Sequence, residues 1–226
     1  MIESDGLPKR ENYFYVKVCG LTNLEDATSA VSHGADILGM VFHPKSLRLC
    51  KIEIAEQIKA AFPSKPRVLV FGYDSKEFIF EIYSHLRDML CLIQLPYDHQ
   101  EFSAIQEMLS FSKILPSVSV RGRLSEHDLN SIKANPLLIL DSPPLQESNI
   151  PGGTGRTFNW DHIKKIQRPY LLAGGLNPDN ICDALRQVDP FGVDVASGLE
   201  AEAGKKDLEK MRIFFEKIRN FPHLCG

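Results

Sequence analysis

The sequence predicts a single (β/α)8 TIM barrel, the α/β fold in which eight parallel strands alternate with eight helices around one core. Short β-type runs alternate with helical patterns along the 226 residues, and there are eight of each. Several β-type runs, such as Val68–Phe71 and Leu137–Leu140, are apolar throughout, which is typical of parallel strands buried on both faces. No linker or low-complexity segment divides the chain, so we expect one domain over residues 1–226, with residues 1–13 as an N-terminal extension.

The boundaries of the β-type runs follow from β-branched and aromatic residues that stand between turn signals. The predicted strands are Phe14–Cys19, Ile37–Phe42, Arg67–Phe71, Cys91–Leu95, Ile114–Val120, Leu137–Asp141, Tyr170–Ala173 and Gly192–Ala196. Apolar residues at helical spacing mark the segments between and after these strands. The predicted helices are Leu24–Ser32, Ile52–Ala61, Glu77–Arg87, Phe102–Phe111, Glu126–Lys133, Asp161–Ile166, Pro178–Gln187 and Lys206–Arg219.

Three helix ends carry capping signals. Thr22 and Glu25 have the spacing of a capping box at the start of the first helix. Gly34 can end that helix in a left-handed conformation, and Asn177 precedes Pro178 at the start of the seventh helix. We therefore expect these helices to begin and end at those residues.

The composition argues against several classes of protein. The net charge is −3, from 26 basic and 29 acidic residues with no basic block, which gives no support to extended nucleic-acid or membrane-surface binding. No apolar stretch approaches the length that spans a bilayer, and the N-terminal residues lack the apolar core of a secretory signal. We expect a cytoplasmic protein with no nucleic-acid or membrane partner, and the sequence identifies no protein partner.

The five cysteines stand at positions 19, 50, 91, 182 and 225 with no close pairing. This pattern argues against a disulfide framework and against a zinc site. We therefore expect reduced thiols and no bound metal.

Cys19 is the first candidate for chemistry, because it ends the first predicted strand directly before Gly20. Barrel enzymes place reacting groups at the carboxyl ends of their strands. A thiol needs a nearby cation to ionise at neutral pH, and Lys17 lies two residues earlier on the same strand face. The alternative is a buried cysteine that acts only as a small apolar side chain.

Asp141 ends the sixth predicted strand after four aliphatic residues. Partial burial at the barrel mouth raises the pKa of a carboxyl group and makes it a proton donor. The alternative is a turn residue, since Ser142, Pro143 and Pro144 follow. A thiol on the first strand and an acid on the sixth face each other across the mouth, which suits removal of one proton and delivery of another.

Three glycine loops follow predicted strands, and they contain the candidate phosphate-binding residues. Glycine lets backbone amides approach an anion without an intervening side chain, and barrels of this kind bind phosphate after the seventh and eighth strands. None of the loops has the sequence of a P-loop or of a dinucleotide-binding loop. The candidates are Gly153, Gly155, Gly174, Gly175, Ser197 and Gly198.

Arg48 follows the second predicted strand, and its guanidinium could pair bidentately with a substrate carboxylate. A solvated loop arginine is the alternative. His43 and Lys45 in the same segment are interpreted as loop residues rather than catalysts. The sequence thus indicates an enzyme that acts on a small phosphorylated substrate.

The chain also resembles a known family, the phosphoribosylanthranilate isomerases of tryptophan biosynthesis. The similarity is collinear from about Val16 to near Phe214. The segments that carry it are Lys17–Thr22, Glu25–Ala27, Gly34–Asp36, Gly153–Gly155, Phe158–Trp160, Leu172–Pro178, Val193–Glu200 and Gly204–Asp207.

The resemblance implies an Amadori rearrangement of N-(5-phosphoribosyl)anthranilate, a phosphorylated aromatic-amine sugar, without cofactor or metal. It implies that Asp141 is the general acid, that Cys19 is the general base and that Arg48 holds the anthranilate carboxylate. The loops near Gly175 and Gly198 would then hold the phosphate.

The chain departs from the family pattern at a few positions. After the fourth strand it has Pro96 and Tyr97 in place of the usual histidine and glycine, and Leu47 replaces the proline that usually precedes Arg48. Two alternatives therefore stay open. One is another phosphosugar barrel enzyme, although its catalytic residues are not visible in the sequence. The other is an impaired or non-catalytic barrel that binds a phosphorylated metabolite.

Overall fold

A computed structural model describes residues 14–109, 113–132, 136–143 and 157–221 of the chain. Eight parallel strands form a closed barrel in the order of the sequence, as predicted. The strands are β1 (Tyr15–Val18), β2 (Ile37–Val41), β3 (Arg67–Val70), β4 (Cys91–Pro96), β5 (Ile114–Ser119), β6 (Leu138–Asp141), β7 (Tyr170–Leu172) and β8 (Gly192–Val195).

Seven α-helices lie among the described residues, between and after the strands. They are α1 (Leu24–His33), α2 (Ile52–Ala61), α3 (Lys76–Leu86), α4 (Phe102–Met108), α5 (Glu126–Asn130), α6 (Ile181–Gln187) and α7 (Leu208–Arg219). A hairpin that was not predicted follows β8 and contains β9 (Glu200–Glu202) and β10 (Lys205–Lys206). The barrel closes where Val16 and Val18 of β1 pair with Val193 and Val195 of β8.

The strands bury two layers of side chains, because successive residues of a strand point to opposite faces. The outward residues pack under the helices in a large apolar cluster that includes Val16, Leu38 and Phe214. The inward residues begin with an apolar layer at the amino ends of the strands. That layer includes Tyr15, Ile37, Val68, Leu115 and Leu171. Two residues further along β1 and β8, the inward side chains are polar. The polar layer of the barrel interior therefore lies toward the carboxyl ends of these strands.

Two of the three predicted helix caps differ from the structure. Asn23, not Thr22, caps α1: its side chain accepts a hydrogen bond from the Asp26 amide at 2.8 Å, while the Thr22 hydroxyl donates to the Gly204 carbonyl. Gly34 ends α1 at φ 114° as predicted. Helix α6 begins three residues late, because Asn177 accepts hydrogen bonds from the amides of residues 179 and 180 in a turn that precedes the helix.

The predicted helix Asp161–Ile166 is wrong. The segment has a short 3-10 helix at Trp160–His162, and its later amide bonds also span three residues, from Ile163 to Trp160 and from Ile166 to Ile163. The last predicted helix starts at Leu208 rather than Lys206, because Lys206 belongs to the hairpin.

The prediction of reduced thiols is confirmed for Cys19, Cys50 and Cys91, which are free. It is wrong for Cys182, which is disulfide-bonded. Cys225 lies outside the described residues. None of the helices that the structure describes has the length and apolar composition needed to cross a membrane.

Candidate active site

A pocket at the carboxyl ends of the barrel strands brings together candidate residues from five segments of the sequence. It opens to solvent on one side and has both polar and apolar residues in its wall, as small-molecule sites do. The predicted site residues in its wall are Cys19, Arg48, Asp141, Gly174, Gly175 and Ser197. The other three predicted residues are not in that wall: Gly198 lies just behind it, and Gly153 and Gly155 lie outside the described residues.

Cys19 directly follows β1, and its amide donates to the Val195 carbonyl of β8 at 2.8 Å. Gly20 then turns the chain at φ 75°. Gly39 on the neighbouring strand leaves room for the thiol, since a Cβ at position 39 would lie 2.9 Å from the Cys19 Sγ. The local backbone and one glycine of β2 therefore hold the sulfur at the pocket wall.

Lys17 lies below Cys19 in the barrel interior and is fully buried. Its ammonium donates to Asp194 Oδ2 at 2.7 Å and to Gln94 Oε1 at 3.0 Å. Burial alone would lower the pKa of Lys17, but the charges of Asp194 and Cys19 raise it above its ordinary value. Lys17 is therefore a fixed cation directly beneath the thiol.

The Cys19 thiol is nevertheless a weak acid in the ligand-free pocket. Burial raises the pKa of Cys19, and the negative charge of Asp194 raises it further, whereas Lys17 lowers it. Burial has the largest effect, so the thiol is protonated at neutral pH and only a minor fraction is thiolate. The nearby cation thus moderates the effect of burial and does not reverse it.

Asp141 ends β6 and has the electrostatics expected of a proton donor. Burial first, and repulsion from Asp194 second, raise the pKa of Asp141 to about 6. The amide of Ser142 donates to Asp141 Oδ1 at 2.7 Å, which stabilises the carboxylate and limits the shift. A carboxyl group with this pKa keeps a useful neutral fraction near neutral pH.

The glycine loop after β7 packs closely against its neighbours. Gly174 and Gly175 have φ values of 86° and 63°, a region that favours glycine. A Cβ on Gly174 would lie 2.7 Å from the Ser142 amide nitrogen. Side-chain amides of Asn177 and Asn180 donate to the Gly175 carbonyl at 3.3 and 2.9 Å and hold the loop.

Gly198 belongs to the loop after β8 and packs against the β7 loop. A Cβ on Gly198 would lie 1.8 Å from the Leu176 carbonyl oxygen. Ser197 in the same short 3-10 turn lines the pocket. The two loops therefore form one half-buried surface at the β7–β8 side of the pocket.

Arg48 also lines the pocket, but it already has a carboxylate partner that the sequence did not indicate. Its Nε donates to Glu200 Oε1 at 2.9 Å and its Nη2 to Glu200 Oε2 at 2.7 Å. The predicted two-pronged contact of Arg48 is therefore made with the protein itself. Gly20 provides the space, since a Cβ there would lie 2.8 Å from Arg48 Cδ.

Lys206 connects this ion pair to the backbone of Cys19. The Lys206 ammonium is fully buried and donates to Glu200 Oε1 at 3.0 Å. It also donates to the carbonyls of Cys19 and Ala196, at 2.7 and 3.1 Å. Burial alone would raise the pKa of Glu200, but Arg48 and Lys206 together lower it below its usual value.

Sequence reasoning identified Lys17 as a cation near Cys19 but missed the two buried polar residues that hold it. Gln94 and Asp194 each interrupt an apolar strand run with one polar side chain, and that signal could have identified them. His43, interpreted as a loop residue, lines the pocket and contacts Asp74. Among the described residues, no cluster of histidine, cysteine and acidic side chains could hold a metal ion.

The unusual residues after β4 lie beside the pocket rather than in its wall. Pro96 is the last residue of β4 and pairs with Ser117 in the strand register. The Tyr97 amide donates to the Ser117 carbonyl at 2.8 Å, and its ring packs edge-on against Phe102 with centroids 5.3 Å apart. The substitution of the family's histidine and glycine is thus accommodated without a break in the barrel.

The chain matches a family model and named relatives over most of its length. The model for N-(5′-phosphoribosyl)anthranilate (PRA) isomerase matches residues 16–217. An N-(5′-phosphoribosyl)anthranilate isomerase of Leptospira interrogans is 37% identical over 209 residues, which cover 91% of this chain and 94% of the relative.

Solved structures agree with this match. The crystal structure of phosphoribosyl anthranilate isomerase from Thermotoga maritima superposes with a TM-score of 0.73 at 35% identity, covering 92% of this chain and 99% of that one. Another phosphoribosyl anthranilate isomerase, solved in complex with reduced 1-(o-carboxyphenylamino)-1-deoxyribulose 5-phosphate, has a TM-score of 0.68 at 33% identity and covers 92% and 99% of the two chains. The chain therefore belongs to the family of N-(5′-phosphoribosyl)anthranilate isomerases.

Proposed function

We propose that this protein converts N-(5-phosphoribosyl)anthranilate to 1-(2-carboxyphenylamino)-1-deoxyribulose 5-phosphate, a step of tryptophan biosynthesis. The observation that carries the proposal is the pairing of Cys19 and Asp141 in one pocket, a free thiol beside a buried cation and an acid with a raised pKa. Family membership supports the same reaction. The complex of a related enzyme with the reduced product supports the substrate class.

In the proposed first step, Asp141 gives its proton to the ring oxygen of the ribose. The bond between this oxygen and the anomeric carbon breaks, and the lone pair of the amine forms the C=N bond of a Schiff base. Asp141 suits this role because its pKa of about 6 leaves the proton available for transfer near neutral pH.

In the second step, the Cys19 thiolate removes the proton from the adjacent sugar carbon. The electron pair moves into the carbon skeleton and neutralises the iminium nitrogen, which leaves an enolamine. The enolamine loses its hydroxyl proton and gains a proton on the former anomeric carbon, which produces the ketone. The Lys17 cation beneath the sulfur stabilises the thiolate that this step consumes. The ring opening and the proton transfers rearrange bonds within the substrate without an external oxidant or reductant, so the proposal requires no cofactor and no metal.

Two further contacts complete the proposed site. The backbone at Gly174, Gly175 and Ser197 is suited to the substrate phosphate, with Gly198 behind it. Arg48 is suited to the anthranilate carboxylate through Nη1, since its other nitrogens are bound to Glu200. We place the protein in the cytoplasm because the mechanism depends on the free thiol of Cys19; the disulfide-bonded Cys182 is an exception to the reduced state expected there.

The decisive experiment follows the loss of substrate fluorescence with purified protein. We expect wild-type turnover, and a fall in kcat of about two to four orders of magnitude in Cys19→Ala and in Asp141→Asn, the usual contribution of a positioned acid or base. Cys91→Ala is the matched control, because Cys91 is also a buried free thiol but lies at the other end of the barrel.

Each outcome has a distinct meaning. Near wild-type turnover by folded Cys19→Ala protein would exclude the thiol as the base. A folded wild-type protein with no turnover would instead favour the alternative of a barrel that binds a phosphorylated metabolite without catalysis.

A further inference from the structure

Two polar side chains in the pocket wall are held by one buried cation. The Lys17 ammonium donates to Asp194 Oδ2 at 2.7 Å and to Gln94 Oε1 at 3.0 Å. Lys17 itself is fully buried, whereas Asp194 and Gln94 line the pocket. Because β4 and β8 lie on opposite sides of the closed barrel, the three side chains meet near the barrel axis. Asp194 and Gln94 therefore form the pocket floor above Lys17.

Asp194 has one oxygen without a protein partner. Its side chain is 7% exposed, and Oδ1 is buried and makes no hydrogen bond to any residue that the structure describes. A buried acceptor without a donor is destabilising, so native proteins rarely retain one without a function. Since Asp194 lines the pocket, a bound ligand can supply the donor. An ionised carboxylate only accepts hydrogen bonds, so the ligand group must carry an N–H or O–H.

Gln94 offers the opposite kind of group. An ammonium only donates hydrogen bonds, so the amide oxygen of Gln94 must face Lys17. The amide nitrogen, which carries two N–H groups, is the other branch of the side chain. Gln94 also lines the pocket, so this nitrogen can donate to a ligand. The pocket floor thus presents an acceptor on Asp194 and a donor on Gln94.

The charges near the pocket floor favour a neutral ligand group. Burial first, and repulsion from Asp194 second, raise the pKa of Asp141. A phosphate or a carboxylate at the floor would add another negative charge beside these two acids, which is unfavourable. A hydroxyl group is neutral, and it both donates and accepts hydrogen bonds. The floor therefore fits a sugar hydroxyl.

The substrate of the proposed reaction has two sugar hydroxyls, on C2 and on C3. In that reaction Cys19 removes the hydrogen from C2, and the loop that contains Ser197 binds the phosphate on C5. Asp194 lies on the strand that leads into this loop, and the next residue, Val195, accepts a hydrogen bond from the Cys19 amide. Asp194 is thus close both to the thiol and to the phosphate loop. The hydroxyl on C3, between C2 and C5, fits this position.

We propose that Asp194 and Gln94 form a binding site for the 3-hydroxyl of the ribose, in which Asp194 Oδ1 accepts the hydroxyl hydrogen and Gln94 Nε2 donates to the hydroxyl oxygen. The inference rests on the proposed function and adds the recognition of the sugar. The 3-hydroxyl is the same group in the substrate, the ring-opened Schiff base and the product, so this contact holds the sugar while the ring opens. It selects ribose over a 3-deoxy sugar, and Lys17 is its positioning residue.

The test compares two ligands that differ only in that hydroxyl. One is reduced 1-(o-carboxyphenylamino)-1-deoxyribulose 5-phosphate, and the other is its 3-deoxy analogue. Calorimetry of wild-type protein should show that the ligand with the hydroxyl binds about 10- to 100-fold more tightly, as for one hydrogen bond to a charged group. The ratio of the two affinities is the readout, because a general change in the pocket alters both affinities alike.

The variant Asp194→Asn should lower this ratio by about tenfold or more. The new amide must turn its oxygen to Lys17, which places N–H groups where the carboxylate oxygen accepted. Gln94→Met keeps a side chain of similar length without the donor and should lower the ratio about three- to tenfold, as for a neutral hydrogen bond. It retains the ion pair of Lys17 with Asp194, so it also covers the case in which Asp194→Asn does not fold. Asp183→Asn, at an exposed acid of α6, is the control and should leave the ratio unchanged.

The results separate this inference from the proposed function. Equal affinity of wild-type protein for the two ligands would overturn the inference, because no contact with the 3-hydroxyl would then exist. A wild-type preference that survives in both Asp194→Asn and Gln94→Met would also overturn it, since other residues would then hold the hydroxyl. In either case, turnover by wild-type protein leaves the proposed function standing. Wild-type protein that neither turns over the substrate nor binds either ligand overturns the proposed function itself, and this inference with it.

Discussion

The two sides of the pocket differ in what they present to a ligand. On the β7–β8 side the wall is backbone at Gly174, Gly175 and Ser197. On the β2–β3 side it carries His43 and Arg48, and a carboxylate of another loop holds each of these side chains. A glycine loop depends on its own few residues, whereas an ion pair needs a partner from elsewhere in the chain. A glycine loop can therefore be identified from the sequence, whereas an ion pair between distant residues is identified only from the fold.

The largest expected effect comes from filling the backbone surface of the β7–β8 side. In Gly198→Ala the new Cβ would meet the Leu176 carbonyl, and in Gly175→Val a side chain enters a left-handed turn. We expect KM to rise at least about 100-fold, the value of two charge-assisted hydrogen bonds. We also expect loss of the stabilisation by inorganic phosphate, about 2.7 kcal/mol at 100 times its Kd in wild type.

Thermal unfolding in phosphate and in chloride at matched ionic strength measures that stabilisation. Gly122→Ala is the control, because a Cβ there meets no atom within 4 Å. If both glycine variants keep the full phosphate effect, the phosphate binds elsewhere and the contrast between the two sides is wrong.

The next largest effect is on the pH dependence of kcat/KM. It concerns Cys19 and Asp141, which lie between the two sides of the pocket. The proposed mechanism needs neutral Asp141 and ionised Cys19, although Asp141 has the lower pKa, about 6 against a raised value for the thiol. Below about pH 6 Asp141 is fully protonated while the thiolate declines about tenfold per unit, so kcat/KM should fall. Above that pH the loss of neutral Asp141 and the gain of thiolate cancel, which gives a plateau up to the pKa of Cys19.

The Asp141→Asn variant tests whether the plateau in kcat/KM arises from the opposing ionisations of Asp141 and Cys19. Without the titrating acid, the residual kcat/KM should follow the thiolate alone and rise about tenfold per pH unit with no plateau. A residual activity that does not change between pH 5 and 9 would contradict the assignment of Cys19.

On the β2–β3 side, Glu200→Gln should weaken both binding and stability. The change leaves the buried Lys206 without a charged partner, at a cost of about 3 kcal/mol, and it loosens Arg48. We expect KM to rise about tenfold by loss of positioning. Glu209→Gln, in an exposed pair with Arg212, is the control. An unchanged KM in folded Glu200→Gln protein would exclude Glu200 as the residue that positions Arg48.

The stability effect of Glu200 also has a defined pH dependence. Its two cationic neighbours lower its pKa in the folded state, so the stabilisation is present above the unfolded value, about 4.3, and disappears as pH falls through the lower folded value. Denaturant unfolding of wild type and Glu200→Gln should therefore converge in acid. A difference that stays constant to low pH would contradict the linkage.

Local patterns in the sequence predicted much of the fold and part of the site. Eight strands are present where predicted, since apolar β-type runs report burial directly. Cys19, Asp141 and the glycines of the pocket were found because a strand end or a glycine pair is a local feature. Their roles stay predictions. The helix at Asp161–Ile166 was predicted wrongly because helical spacing does not distinguish an α-helix from successive 3-10 turns.

The residues that sequence reasoning missed all depend on distant partners. Arg48 and Glu200 are 152 residues apart, and His43 and Asp74 are 31 residues apart. A histidine in a loop has no local sign that shows which carboxylate will face it. Only the barrel, which brings the loops of neighbouring strands together, defines these pairs.

The smallest effect is expected at the loop after β4. Pro96→His with Tyr97→Gly restores the family's residues beside the pocket, and because Tyr97 lies outside the wall the change should lower KM only about threefold. Steady-state kinetics measure it, and Arg48→Ala should oppose it in the same background. A change confined to kcat would show that this loop acts on the chemistry rather than on binding.

Lys206 makes activity conditional on completion of the fold. Its ammonium donates to the Cys19 carbonyl at the end of the first strand, 187 residues earlier in the sequence. It also donates to the Ala196 carbonyl, which follows the last strand of the barrel. The same ammonium holds Glu200, which orients Arg48. A chain whose final quarter has not closed against its first strand lacks these contacts, so we expect incomplete molecules to be inactive.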